Sequence, residues 1–423
     1  MKIGLFTDTY HPASNGVVVV IDILRRELER LGHEVFIFAP DGGVVLGKLP
    51  SDAHIIRLPA VQYDLQLSLF FPPHLLQKVR ALDLDVIHFF TPAQLGLMAT
   101  LAARKTNAVL VGQHSTDTYE FSKNYPAIAL SYIFGGLLAP VFVRLNSDQK
   151  KRLVKLYLTL RHKKKEKWSQ NLIAGLMSLL YANCDGVVAV SQKSANQLNA
   201  FAARGHETLN LKVIPTGANL LPPASARAIE AFRRKWKIAP EDEVVVYFGR
   251  MAEEKNLTLL IKMLPILLKK RPHAKLLMAG DYVYRKKLEK IAMNSSAGDK
   301  IIFTGLYQRS ELSTICAVSK VFAFPSLTDT QALVLNEAAG LGLPIVMCDK
   351  NLNEVFRDGE NGWLVRSHPG DFAAKINQIL ADEALWKTFS QRSRKLATQF
   401  SESAQVEKLV DFYHELLSTV VLS

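Results

Sequence analysis

Cysteine is scarce in this chain: three in 423 residues, Cys184, Cys316 and Cys348, far apart and odd in number. They form neither a metal-ligand spacing nor a disulfide framework, and they fit a reducing compartment. Neither G-x-G-x-x-G nor a P-loop occurs, so nicotinamide cofactors and ATPase chemistry lose support. Long apolar spans are also missing. "AIALSYIFGGLLAPVFV" (127–143) runs seventeen residues without a charge, but Gly135, Gly136 and Pro140 interrupt it. It lies at the short edge for a bilayer crossing of about 20 residues. The N-terminus, "MKIGLFTD", reads as a strand at once, so no leader is expected and the protein is expected in the cytoplasm. Acidic residues are in deficit, 39 against 52 Lys and Arg, for a net charge of +13. Such a surplus suggests an acidic partner: nucleic acid, anionic lipid or a phosphorylated ligand.

What the chain does have is a repeating rhythm of apolar run, polar turn and helix-like segment. "KIGLFTD" precedes the amphipathic "GVVVVIDILRRELERLG", and "EVFIFAP", "DVIHFFTP", "AVLVGQH" and "GVVAVS" continue the series. The pattern restarts after the proline- and glycine-punctuated "LKVIPTGANLLPPASA", with "EVVVYFGR", "AKLLMAGD", "KIIFTG", "VFAFPS" and "PIVMCD". Nearly all-apolar strands alternating with helices predict parallel sheets covered on both faces. The length suits two domains. The expectation is an α/β chain of two doubly wound, Rossmann-like domains, residues 1–210 and 211–400, with a final helix over 401–423 and a ligand cleft at the strand ends.

Four loops at strand ends carry the chemistry. In "FGRMAEEKN", Arg250 and Lys255 stand five apart and can converge on a diphosphate, Arg as a fork and Lys as a point charge. The alternative is a solvated helix start in which Glu253 and Glu254 neutralise them. In "SLTDTQALVLNEAAGLGLP", Asp329 and Glu337 bracket seven uncharged residues. The helix beginning there offers unpaired N–H groups and a positive dipole end to a phosphate. Alternatively, Asp329 is an N-cap and Glu337 a solvated helix residue. His114 ends a strand in "VGQHSTDTYE", and Gly16 in "SNGV" opens the first helix, where Asn15 could cap.

Taken in order, "DTYHPASNGV", "VAVS", "VIPTGAN", "GRMAEEKN", "AGD", "SLTDTQALVLNEA" and "DGENGWLV" resemble the retaining GT-B nucleotide-sugar glycosyltransferases of family four, nearest to their diacylglycerol glycosyltransferase and phosphatidylinositol mannosyltransferase types. The resemblance implies transfer of a hexose from a UDP- or GDP-linked donor with retention, with no cofactor and no required metal. It implies that Arg250 and Lys255 hold the diphosphate as it leaves, that Asp329 lies near sugar and diphosphate, and that Glu337 binds the ribose hydroxyls. The family's usual residue at the position of Asp329 is Glu. Gln331, Ala332 and Leu333 would bind substrate at the helix start, Gly16 would let its backbone approach phosphate, and His114 would position the donor sugar. Leu306 and Tyr307 fall in the base-binding loop; Asp117, with Glu120 nearby, would contact the acceptor. "AGDYVYRKK" departs from the family, which more often has glycine and proline after the Asp. The last helix is expected to cross back to the first domain.

The basic surplus is concentrated. Lys150–Trp168 holds nine Lys or Arg and one Glu, and Leu153, Leu156, Tyr157 and Leu160 recur there at helical spacing. A basic amphipathic helix of this kind can lie on an anionic membrane. Lys150, Lys151, Arg152, Lys155, Arg161, Lys163, Lys164 and Lys165 are the expected membrane-binding cations, on a protein peripheral to the inner face of the membrane and acting on a lipid. A solvated charged face is the competing reading. The aromatics Tyr157 and Trp168 are too few to stack nucleic-acid bases, so no nucleic acid partner is expected. Two alternatives remain open: the same chemistry on a soluble sugar, lipopolysaccharide or protein acceptor, and a membrane-binding protein with a degenerate site.

Overall fold

The computed structural model of the protein describes residues 1–13, 15–41, 52–62, 66–68, 73–115, 119, 136–137, 139–158 and 165–421. The chain forms two compact units, Met1–Thr216 with Gln405–Ser423, and Gly217–Ala404.

The first unit is built on a seven-stranded parallel sheet. Its strands are β1 (Lys2–Phe6), β2 (Glu34–Pro40), β3 (Ile55–Leu58), β6 (Val86–Phe89), β7 (Val109–His114), β8 (Gly186–Ala189) and β9 (Leu211–Val213), in the spatial order β3-β2-β1-β6-β7-β8-β9. A short antiparallel pair, β4 (Ala60–Gln62) and β5 (Gln66–Ser68), stands apart. The central strands are buried along their whole length, as their near-continuous Val, Ile, Leu and Phe require when helices cover both faces. The helix Gly16–Arg30 buries Val18, Ile21, Leu24 and Leu28, the stripe expected of a 3.6-residue period. Asn15 caps it, accepting from the N–H groups of Val17 and Val18.

The second unit repeats the plan with six parallel strands. These are β10 (Glu243–Phe248), β11 (Ala274–Ala279), β12 (Ile301–Gly305), β13 (Val321–Phe324), β14 (Ile345–Met347) and β15 (Gly362–Leu364), ordered β12-β11-β10-β13-β14-β15. In each sheet the chain winds outward in one direction and then the other. The strand order therefore reverses between β1 and β6, and again between β10 and β13. Such a switch point leaves a crevice outside the carboxyl ends of the two strands.

The structure moves one predicted boundary. Leu211–Val213 pairs with β8 through the register Val187–Leu211 to Ala189–Val213, so it is the edge strand of the first sheet and the first unit runs to Thr216. The apolar "LKV" that read as the start of a linker is held by this pairing. The last helix, Glu402–Val421, starts in the second unit and belongs from Gln405 on to the first. There Phe412 and Leu416 press so closely on Gly186 that a Cβ at that glycine would meet them at 2.8 and 2.5 Å.

Candidate active site

The second unit's switch point gathers four charged side chains that the sequence had singled out or flanked. Strand β10 is followed by Gly249 and β11 by Gly280, both with positive φ. A Cβ on Gly280 would lie 2.0 Å from the carbonyl oxygen of Gly249, so only glycine lets these strand ends touch. The loops that follow are tied together: the N–H of Met251 donates to the carbonyl of Asp281, and that of Tyr284 to the carbonyl of Met251. Arg250 is held on this platform. Its Nη2 donates to Glu254 Oε1 at 2.6 Å, its guanidinium carbon stands 4.9 Å from the ring centre of Tyr282, and its carbonyl accepts from the hydroxyl of the buried Tyr247 at 3.1 Å. Burial raises the Tyr247 phenol well above its ordinary range, so it stays a donor.

Lys255 closes a short 3₁₀ turn, Glu253–Lys255, and its Nζ pairs with Asp329 in the loop after β13. Both side chains are only 13% exposed, so this is a largely desolvated ion pair. The fully buried Ser326 hydroxyl donates to the other oxygen of Asp329. Thr328 reaches the Glu254 carbonyl and Asn256 the Pro325 carbonyl, each at 3.4 Å, so the two loops on either side of the switch point are stitched together. The expected neutralisation by two glutamates divides: Glu254 takes Arg250, while the exposed Glu253 pairs with Lys287 at 3.4 Å. Asp329 is not an N-cap. The helix Leu333–Gly340 has Ala332 at its cap with no side-chain bond, because the Asp329 carboxylate is engaged by Lys255 and Ser326.

Gln331 and Leu333 are half-buried and Ala332 is buried, at the start of that helix. Val334 lies 3.5 Å from where a Gly249 Cβ would be, which sets the helix start beside the Arg250 turn. Glu337 is half-buried one turn further on, and not solvated as one reading had it. Burial pushes its carboxyl up to about 7; the charge of Arg309 works against that rise and the charge of Glu402 adds to it. Tyr307 is half-buried beside the same carboxylate and packs its edge on Phe248, whereas Leu306 is 82% exposed. Sequence reasoning missed the group behind Glu337. Glu402, 2% exposed, accepts from Asn219 Nδ2 at 2.7 Å and from Arg309 Nη2 at 3.4 Å. These three residues are far apart in sequence and carry no motif.

In the first unit, Gly16 opens its helix on the surface, and a Cβ there would meet no atom within 4 Å. The protein itself therefore does not require glycine at this position. His114 ends β7 fully buried, with Nε2 3.0 Å from Gln197 Oε1 and Nδ1 3.4 Å from the Tyr181 hydroxyl. Asp8, which the sequence reading passed over, stands at this unit's own switch point. It accepts from the Thr91 hydroxyl after β6 and from the N–H of Leu95 at 3.1 Å, capping a helix, Gln94–Arg104, whose cap residue Ala93 has no side-chain bond. Burial pushes Asp8 up to about 6 despite both hydrogen bonds. Asp117 and Glu120 lie outside the described residues.

The basic segment is more structural than its sequence suggests. In the helix Ser147–Leu158, Leu153 is buried and Leu156 and Tyr157 are half-buried. Leu156 abuts Gly175 and the Tyr157 hydroxyl abuts Gly136, so the apolar stripe expected to meet lipid packs on the protein. Arg152 is a correction too: its Nη2 pairs with Glu207 at 2.7 Å, and it faces the protein. Lys150, Lys151 and Lys155 are exposed, together with Val154 and Leu158 on the same helix and Leu137 and Val141 before it. Lys165 opens the next helix, Lys165–Tyr181; Arg161, Lys163, Lys164 and Leu160 lie outside the described residues. Among the described residues no helix is long and apolar enough to cross a membrane.

Comparison with known proteins bears on the family. The family described as Glycosyltransferase Family 4 matches residues 14–220, and Glycosyl transferases group 1 matches 228–396. An alpha-monoglucosyldiacylglycerol synthase of Streptococcus pneumoniae is 28% identical over 82% of this chain and 70% of its own. A protein of the same name from Acholeplasma laidlawii is 25% identical over 99% and 98%. A GDP-mannose-dependent alpha-mannosyltransferase of Mycolicibacterium smegmatis is 24% identical over 82% and 80%. Among solved structures, Anabaena HepE in complex with UDP superposes with a TM-score of 0.69 and 18% identity over 98% of this chain and all of that one. The chain belongs to the GT-B nucleotide-sugar glycosyltransferases of the family-four type.

Proposed function

We propose that the protein transfers glucose from UDP-glucose, with retention, to the hydroxyl of a membrane lipid of the diacylglycerol kind, working from the inner membrane surface. The observation that carries the donor half is the convergence of Arg250, Lys255 and Asp329 on the carboxyl ends of β10 and β13, with Glu337 one turn into the helix that follows the Asp329 loop. A diphosphate there meets a fork and a point charge fixed before it arrives, which is the arrangement that stabilises a charged leaving group. In this reading Glu337 accepts from the ribose hydroxyls, and Leu306 and Tyr307 meet the base. Gly16 and Asp329 sit by phosphate and sugar, His114 positions the sugar, and Asp117 belongs to the acceptor side. The bond from the sugar's anomeric carbon to the diphosphate oxygen breaks, the lipid oxygen bonds to that carbon on the same face, and the lipid hydroxyl proton passes to the leaving diphosphate. Fixed charge from Arg250 and Lys255 takes the place of a metal, so chelators leave the rate unchanged.

The lipid half rests on the exposed Lys150, Lys151 and Lys155 interleaved with exposed Val154 and Leu158. It is supported by the name of two relatives, alpha-monoglucosyldiacylglycerol synthase. The mannosyltransferase relative makes GDP-mannose the donor to test against. The experiment incubates the purified protein with UDP-glucose, UDP-galactose or GDP-mannose, with and without liposomes of diacylglycerol and anionic lipid. Nucleotide release from UDP-glucose that depends on the liposomes, with sugar recovered in the lipid, is the expected result. Release indifferent to lipid overturns the acceptor, and release from GDP-mannose alone overturns the donor.

A further inference from the structure

The loop "AGDYVYRKK", which departs from the family pattern, carries an inference beyond the function above, though it rests on the reading of Arg250 as a diphosphate ligand. We infer that Tyr282 is a positioning residue of the donor site, orienting the Arg250 guanidinium for the diphosphate. Three observations converge on it. The backbone contact between Gly249 and Gly280 forces the residues after each strand to lie side by side, and the paired hydrogen bonds between Met251 and the Asp281–Tyr284 turn fix their register. The Tyr282 N–H is itself held by Asp281 Oδ1 at 2.8 Å, and Asp281 Oδ2 by Arg285 at 3.0 Å, so the turn is anchored from behind. On this anchored turn neighbouring side chains part company. Val283 is 80% exposed and touches solvent, while Tyr282, 43% exposed, keeps its ring 4.9 Å from the Arg250 guanidinium carbon.

The chemistry follows from what an arginine needs at such a site. A guanidinium on a flexible stem grips a diphosphate with two parallel N–H bonds only if its plane is set beforehand. Glu254 holds one nitrogen at 2.6 Å. An aromatic face held against the guanidinium favours one orientation of its plane, and the attraction grows as water leaves the site. Glycine at position 282 would supply no such surface.

The test is a double-mutant cycle read by donor kinetics. Tyr282→Ala raises the KM for the nucleotide sugar and weakens inhibition by the free nucleoside diphosphate by about 3- to 30-fold, the range of a cation–π contact from exposed to desolvated. Tyr282→Phe, which keeps the ring, restores both to within about twofold, and Tyr282→Leu, which keeps bulk without the ring, does not. In an Arg250→Ala background Tyr282→Ala changes neither constant, because the group it orients is gone. Thermal melts identify any variant that fails through folding, and the Phe and Leu pair decides the matter if Ala does. If Arg250→Ala impairs donor binding while Tyr282→Ala matches wild type, or if the two changes are additive, the inference is overturned and the site stands. If Arg250→Ala itself leaves donor kinetics unchanged, the reading of the site fails first.

Discussion

At the residue scale, Glu337 and the Lys255–Asp329 pair make opposite demands on the solvent. Glu337 titrates at about 7 when folded against an ordinary 4.5. Between those values the folded chain holds a proton that the unfolded chain releases, so this group's contribution to stability grows as pH falls through 7 and is complete below 4.5. In the proposed reading binding runs the other way, since only a carboxylate accepts from two ribose hydroxyls. The donor KM is expected to rise as pH falls from 8 to 6, and Glu337→Gln to raise it at pH 8 and flatten the profile. A profile equally steep in Glu337→Gln would assign the titration elsewhere. Lys255 is different, because its charge is already matched. Lys255→Ala removes the cation from a largely buried carboxylate and is expected to cost about 2–3 kcal/mol of stability as well as transfer. Adding Asp329→Asn should return much of the stability, measured by denaturant unfolding, and none of the turnover. Lys255 and Asp329 could each be picked out in the sequence, but their pairing could not. It spans 74 positions and depends on which strand neighbours β10.

At the element scale, the helix Ser147–Leu158 shows what periodicity leaves open. The spacing of Leu153, Leu156 and Tyr157 correctly gives one apolar face. A protein neighbour and a bilayer ask for the same stripe, and the sequence does not say which one covers it. Here the glycines decide: Gly136 and Gly175 lack the side chains that would hold Tyr157 and Leu156 away. Lys150, Lys151 and Lys155 lie on the outward face, the one proposed above to meet a membrane. Replacing those three with Ser is expected to weaken binding to anionic liposomes about 100-fold, at about 1 kcal/mol per cation, with the melting temperature held. Leu156→Ala should do the reverse, lowering the melting temperature and leaving the liposome partition per folded molecule alone. If the lysine triple binds liposomes like wild type, the docking face lies elsewhere. The strand-end glycines were legible as turns in "FGR" and "AGD", yet their mutual contact was not. Gly280→Ala combines a positive φ with a clash on the Gly249 carbonyl, and a loss of about 3 kcal/mol or more is expected on denaturant unfolding.

At the scale of the whole molecule, alternation of apolar runs and helices was enough to give two doubly wound sheets, because buried parallel strands leave little else for such runs to be. The domain edge was misread at Leu211–Val213, since a three-residue edge strand is recognisable only by its partner. The return of the last helix to the first unit includes one buried polar contact that no pattern announces. His88, fully buried in β6, lies with Nδ1 2.6 Å from the hydroxyl of Tyr413, and its Nε2 has no partner among the described residues. Burial pulls its titration down to about 3 from an ordinary 6.5, so in the folded chain the ring is neutral wherever the protein works. Once unfolded, the ring takes up a proton below pH 6.5 that the folded ring refuses. Stability from this group is therefore complete above 6.5 and is lost as pH falls toward 3, by about 2 kcal/mol at pH 5. His88→Gln keeps a group able to bond the Tyr413 hydroxyl without titrating. Its unfolding free energy should fall less between pH 7 and pH 5 than that of wild type. Above that range the two proteins should show the same dependence on pH, because His88 is then neutral both folded and unfolded. Parallel curves between pH 7 and pH 5 would show that the β6 histidine and the last helix are not joined through this proton.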